Sequence, residues 1–200
     1  MPYTYLALGD SYTIGEGVPL FASFPYQTVQ LLRRDNIPMT APEVIAQTGW
    51  TTDELLNAIN NYIFSKTYDV VTLLIGVNNQ YRGRSPEEYG KEFEKQLQKA
   101  IALAGGKRGH VLALSIPDYS VTPFARAMNT EKIAREIDAF NAINNTLTTQ
   151  LGVAYINITE SSRDAKNDVN LLAEDGLHPS AAEYQKWAQL LARFVKQILV

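Results

Sequence analysis

Val70-Val71-Thr72-Leu73-Leu74-Ile75 and Val111-Leu112-Ala113-Leu114 are short, nearly continuous apolar runs. A strand with one wet face alternates polar and apolar residues. These runs do not alternate, as expected of strands in a parallel sheet covered by helices on both sides. The same signal, weaker at the margins, predicts five strands: Thr4–Leu8, Glu43–Ala46, Val70–Ile75, His110–Ile116 and Val153–Ile158.

Helical patterns with explicit start signals fill the intervals. Ser85-Pro86-Glu87-Glu88 combines a Ser cap, Pro in the first turn and Glu at the third position. Tyr89, Phe93, Leu97, Ile101 and Ala104 then repeat at helical spacing until Gly105-Gly106. Thr51-Thr52-Asp53-Glu54 opens a second helix, with Leu55, Leu56, Ile59 and Ile63 as its apolar face. A long helix runs from about Asn129 to Leu151 and is closed by Gly152. Ser180 caps a last one with the stripe Tyr184, Trp187, Leu191, Phe194 and Ile198. A weaker pattern covers Ser23–Arg34. Alternating strands and helices joined by right-handed crossovers predict an α/β fold. The expected form is a three-layer α/β/α sandwich around a flavodoxin-like, five-stranded parallel sheet. No internal repeat, low-complexity tract or linker interrupts residues 1–200, which read as one domain.

Composition narrows the function. The chain is 46% hydrophobic and 20% charged, with net charge −3 and no cysteine. Disulfide scaffolds, thiolate metal sites and cysteine nucleophiles are thereby excluded. The acidic balance supplies no basic surface for nucleic acid. Residues Met1–Leu8 lack a basic leader segment, and the longest apolar run is far short of the ~20 residues that span a bilayer. The expectation is a protein with no membrane span, cytoplasmic as the sequence stands, or secreted or periplasmic had a leader been removed.

In such a sheet, ligands bind beyond the carboxyl ends of the strands. The first loop there, Gly9-Asp10-Ser11-Tyr12-Thr13-Ile14-Gly15, matches neither a dinucleotide fingerprint nor a phosphate loop. No cofactor is expected, and a mononucleotide or flavin binder on this fold is disfavoured. Alone, Ser11 reads as a helix cap. The loop before the last helix, Asp175-Gly176-Leu177-His178-Pro179, supplies partners from the same sheet edge. Asp175 can fold back onto one imidazole nitrogen of His178 and leave the other for Ser11. Nucleophile, base and orienting carboxylate are then all present. His110, the other histidine, begins an apolar strand and reads as structural; two isolated histidines make no metal site.

Gly9-Asp10-Ser11-Tyr12, Gln47-Thr48-Gly49-Trp50, Gly76-Val77-Asn78-Asn79 and Asp175-Gly176-Leu177-His178 lie, in that order, over almost the whole chain. In this the sequence resembles the SGNH (GDSL) hydrolases. The resemblance implies a serine esterase that works through an acyl-enzyme, with Ser11, His178 and Asp175 catalytic. It also implies an oxyanion hole made by the N–H groups of Ser11 and Gly49 and the side-chain amide of Asn78. Asn79 stands where the family pattern has Asp. A supporting hydrogen-bond role is expected for it, and Asn79→Asp is expected to leave activity within about an order of magnitude or raise it.

Tyr12, Trp50, Tyr81, Arg82, Tyr119 and Phe124 fall in loops at this edge and are candidates for substrate binding, although Trp50 and Phe124 serve equally well as the rim of the core. Arg82 and Arg84 read first as solvated surface residues, and otherwise as partners for a substrate phosphate. The expected partner is a small-molecule ester, of the lysophospholipase/thioesterase or short-chain arylesterase kind. A carbohydrate O-acetylesterase, or an inactive binding module on the same fold, are the alternatives.

Overall fold

The computed structural model describes residues 1–64 and 66–200. Its strands are β1 (Tyr5–Gly9), β2 (Glu43–Ala46), β3 (Val70–Leu74), β4 (Val111–Leu114) and β5 (Ala154–Ile156). All pair in parallel, in the order β2-β1-β3-β4-β5. The expected α/β/α sandwich, with its flavodoxin-like strand order, is the observed fold. The helices are α1 (Ser11–Ile14), α2 (Phe24–Arg34), α3 (Thr52–Asn61), α4 (Val77–Tyr81), α5 (Pro86–Leu103), α6 (Thr130–Leu151), α7 (Thr159–Ser162) and α8 (Ala181–Leu199). Because the strand order runs in opposite directions from β1, right-handed crossovers put α2 on one face and α3, α5 and α6 on the other. Accordingly α2 packs on α8, and α5 packs on both α3 and α6. Among the described residues, no helix is long and apolar enough to cross a membrane.

Every residue of β1, β3 and β4 is buried, which is why these runs show no alternation. The expected strands β4 and β5 are trimmed by side chains that take over the ladder's hydrogen bonds. Ser115 Oγ accepts from the N–H of Ile158 (2.8 Å) and Thr159 (3.0 Å), and Asn141 Oδ1 accepts from Ile116 N (2.7 Å). His110 forms a tight turn before β4, with its Nδ1 2.6 Å from the Asp69 carbonyl oxygen, a structural position as expected.

Two expected core residues are outside the core. Helix α3 ends at Asn61, so Ile63 is 91% exposed. On α8 the buried stripe runs through Tyr184, Trp187, Leu191 and Val195, leaving Phe194 at its margin. A period of 3.6 residues carries the stripe to 195, one step past the residue expected from the spacing.

Trp187 lies under the site, fully buried, with Tyr184, Phe24 and Tyr12 against its ring. Trp187→Ala is expected to cost about 3–5 kcal/mol of unfolding free energy. Ile63→Ser is expected to stay within about 0.5 kcal/mol of the parent. Urea denaturation of the two variants checks the contrast.

Candidate active site

The ladder aligns Gly9, the end of β1, with Ala46 on β2 and with Leu74 on β3. The loops that leave these strands therefore start level, at the point where the strand order reverses. Ser11 comes from the first, Gly49 from the second and Asn78 from the third.

Ser11 opens the one-turn helix α1. Asp10 caps it, its Oδ1 accepting from Tyr12 N at 3.0 Å. The N–H of Ser11 sits at the first helical position, which has no intrahelical acceptor. The loop before α8 folds back on itself, pairing Leu172 with Pro179, and Ala173 N donates to the His178 carbonyl at 2.8 Å. This places His178 Nε2 3.0 Å from Ser11 Oγ and His178 Nδ1 2.6 Å from Asp175 Oδ2. Asp175 Oδ1 accepts from the N–H groups of Leu177 and His178, both at 2.9 Å. Partial burial pushes the Asp175 carboxyl up, but the His178 ring and these two N–H donors outweigh burial and hold it below the ordinary value. An ionised Asp175 makes Nδ1 the protonated nitrogen of a neutral ring, so Nε2 is free to accept the Ser11 proton.

Opposite Ser11, Asn78 Nδ2 donates to the Trp50 carbonyl at 3.0 Å. That bond fixes the amide plane while Asn78 still lines the cleft beside Ser11. Gly76, before α4, has φ +129°, and a Cβ there would lie 2.6 Å from Tyr89 Cε2. Only glycine fits at that approach. Gly49 has φ +83° and also lines the cleft.

The cleft is about 170 Å³ and carries no Lys, Arg, Asp or Glu. Tyr12, Tyr81, Tyr119 and Phe124 line it, as read from the sequence, together with Val77 and Leu177. Trp50 and Arg82 do not. Trp50 packs against the core, so its ring belongs to the core's rim. Arg82 turns to the loop below, donating to the Gly49 carbonyl at 2.6 Å and pairing with Glu54 at 3.3 Å. Arg84 pairs with Asp53 and Glu88. Both guanidiniums are thus occupied by groups of the protein. Glu16, unremarked in the sequence, accepts from Thr48 Oγ1 and ties the first loop to the second. Its signal was only an acid five positions after a serine, which has no distinguishing pattern. Among the described residues, no group of three or more His, Asp or Glu side chains could hold a metal ion.

A family model for GDSL-like lipases and acylhydrolases matches residues 7–186. The chain belongs to the GDSL-like lipase/acylhydrolase family. Its members are carboxylic ester hydrolases by type. No curated protein sequence matches the chain at a significant level. Similar solved structures include TesA, at 19% identity and TM-score 0.78, covering 98% of this chain and 99% of that one. A lipase/acylhydrolase from Enterococcus faecalis is 18% identical with TM-score 0.77, over 98% and 96% of the two chains. An acetylxylan esterase from Geobacillus stearothermophilus is 16% identical with TM-score 0.74, over 96% and 94%. At these identities the likeness is one of fold.

Beside Ser11, Asp10 is fully buried. Burial pushes its carboxyl from an ordinary 3.8 up to about 7, against the pull of the Tyr12 N–H. The folded chain therefore holds this proton more tightly than the unfolded chain, and stability falls as pH rises from about 4 to about 7. Asn at this position retains a capping oxygen without the charge. Asp10→Asn is expected to gain about 2 kcal/mol relative to the parent at pH 8 compared with pH 5. Unfolding free energies of both proteins at the two pH values check it.

Proposed function

We propose that this protein is a serine esterase acting on short-chain, uncharged carboxylic esters through an acyl-enzyme. The observation that carries the reading is the continuous hydrogen-bonded chain Ser11 Oγ–His178 Nε2 and His178 Nδ1–Asp175 Oδ2, at 3.0 and 2.6 Å. Ser11 Oγ attacks the acyl carbon as His178 takes its proton. The negative oxygen of the tetrahedral species is met by the N–H groups of Ser11 and Gly49 and by the Asn78 amide. Collapse breaks the bond to the alcohol oxygen, which leaves with the proton from His178. A water deprotonated by His178 then attacks the acyl carbon and releases the acid and Ser11.

The walls favour a small acyl group. A cleft of about 170 Å³ is below the roughly 300 Å³ at which sites for drug-sized ligands begin. With Arg82 and Arg84 paired to carboxylates, neither guanidinium is offered to a phosphate. This favours the arylesterase-like reading over lysophospholipids and long acyl thioesters. A second reading, an acetyl ester on a carbohydrate, draws on a neighbouring cleft of about 400 Å³. It shares Tyr81 and Tyr119 with the first and adds Gln80, Asn129, Lys132 and Glu136, polar groups suited to hydroxyls, beside apolar Met128 and Ile133.

Ser11→Ala and His178→Ala are each expected to lower kcat on p-nitrophenyl acetate by ~10³-fold or more, with the double variant losing little beyond either single. Losses that multiply would show that the two do not act as a pair. Asn78→Ala is expected to lower kcat ~10²–10³-fold with KM nearly unchanged. On the wild-type enzyme, kcat/KM for p-nitrophenyl acetate should exceed that for the octanoate by about tenfold or more. Deacetylation of an acetylated xylo-oligosaccharide, followed by acetate release, tests the second reading.

A further inference from the structure

Asn78 and Gly49 sit on different segments, and their relative position depends on how α4 is fastened to the start of α3. One fastening is the bond from Asn78 to the Trp50 carbonyl. The next is made by Asn79 and Thr52, both fully buried. Asn79 Oδ1 accepts from Thr52 N at 3.0 Å, and Asn79 Nδ2 lies 2.6 Å from Thr52 Oγ1. Thr52 Oγ1 also bonds to Glu92 Oε2 on α5, and Gln96 Nε2 holds the Thr52 carbonyl at 2.7 Å.

Elementary donor counting fixes every proton in this cluster. A backbone N–H can only donate, so the Asn79 atom facing Thr52 N is the amide oxygen. Its other end is the NH₂ group, which can only donate, so Thr52 Oγ1 accepts there. The single hydroxyl proton of Thr52 is left for Glu92, a carboxylate that can only accept. The relay runs one way, from Asn79 through Thr52 to Glu92.

We propose that Glu92 is a positioning residue of the active site, and that Asn79, Thr52 and Glu92 form a one-way relay that holds Asn78 and Gly49 in register. This rests on the esterase reading above. It also reverses the expectation that Asp would be harmless at position 79. A carboxylate there would present a second acceptor to the one Thr52 proton, leaving one of two acids without a donor at a buried hydroxyl. Replacing Glu92 by Gln repairs the count: the new amide donates to Thr52 Oγ1, and the hydroxyl turns to the acid at position 79. The relay then runs backwards with every group satisfied. Glu92→Gln alone is tolerated, because its amide oxygen still accepts from Thr52.

The test is a double-mutant cycle of Asn79→Asp and Glu92→Gln, with kcat and KM on p-nitrophenyl acetate and Tm for each protein. Asn79→Asp is expected to lower kcat ~10- to 100-fold with KM within about threefold, as for a small misplacement of donors. Glu92→Gln should remain within about threefold of wild type, and the double variant should recover to within about threefold in kcat, with its Tm restored. If Asn79→Asp does not fold, recovery of folding and activity in the double variant supports the relay equally. A double variant no better than Asn79→Asp, or an Asn79→Asp protein equal to wild type, overturns it. A lower Tm with unchanged kcat per folded enzyme overturns the positioning role. Fluorophosphonate labelling of wild type separates the two levels. Absence of both labelling at Ser11 and turnover defeats the esterase reading, while the Tm cycle still decides the relay.

Discussion

Three strands end at one level. Gly9 is paired with Ala46 and with Leu74, and parallel backbone hydrogen bonds leave these levels no freedom to slide. Ser11 lies two residues beyond its strand, Gly49 three and Asn78 four, so each reaches the cleft by a very short path. Short paths from a buried ladder allow little wandering, and they explain how loop residues can form a site of defined geometry. The crossover rule adds the rest. Because strand order reverses at β1, the first and third loops diverge to opposite faces and leave a crevice between them.

The loops are then fastened to one another by hydrogen bonds at and behind the cleft wall. Glu16 holds Thr48, Arg82 holds the Gly49 carbonyl, and Asn78 holds the Trp50 carbonyl. Exposed ion pairs such as Arg82–Glu54 contribute little to folding free energy. Their worth here is geometric: they restrict where a backbone segment can sit. The chemistry inside the cleft is correspondingly free of charged walls, with Asp175 approaching His178 from outside.

Much of this was legible beforehand for identifiable reasons. Buried strands announce themselves by unbroken apolar runs, and helices by their caps, so the five strands and five longer helices were placed within a few residues. The ends were misjudged where Ser115 and Asn141 side chains replace ladder partners, because nothing in a strand's own composition reports a cap supplied from elsewhere. Ser11, Asp175 and His178 stood out in the sequence because histidine is scarce, with only two in the chain, and the three residue types are chemically matched. The bond from Arg82 to the Gly49 carbonyl left no signal, because an arginine bonded to a carbonyl 33 residues away is indistinguishable, in sequence, from a solvated one. Glu92 left no trace at all: its partner is a helix-starting threonine, and that relation exists only after α3 and α5 have packed.

The Ser11–His178 hydrogen bond joins residues separated by 167 positions. That bond closes most of the chain into one loop, and such closures come at high entropic cost and late in assembly. His178 lies in the loop that leads into α8, whose Trp187 packs against Tyr12, the neighbour of Ser11. Docking of α8 therefore brings His178 to Ser11 in the same event that completes the core on that face. On the proposed reading, hydrolytic competence during refolding would report this final docking rather than sheet formation, and partly folded chains would carry an unactivated serine that is harmless to esters around them.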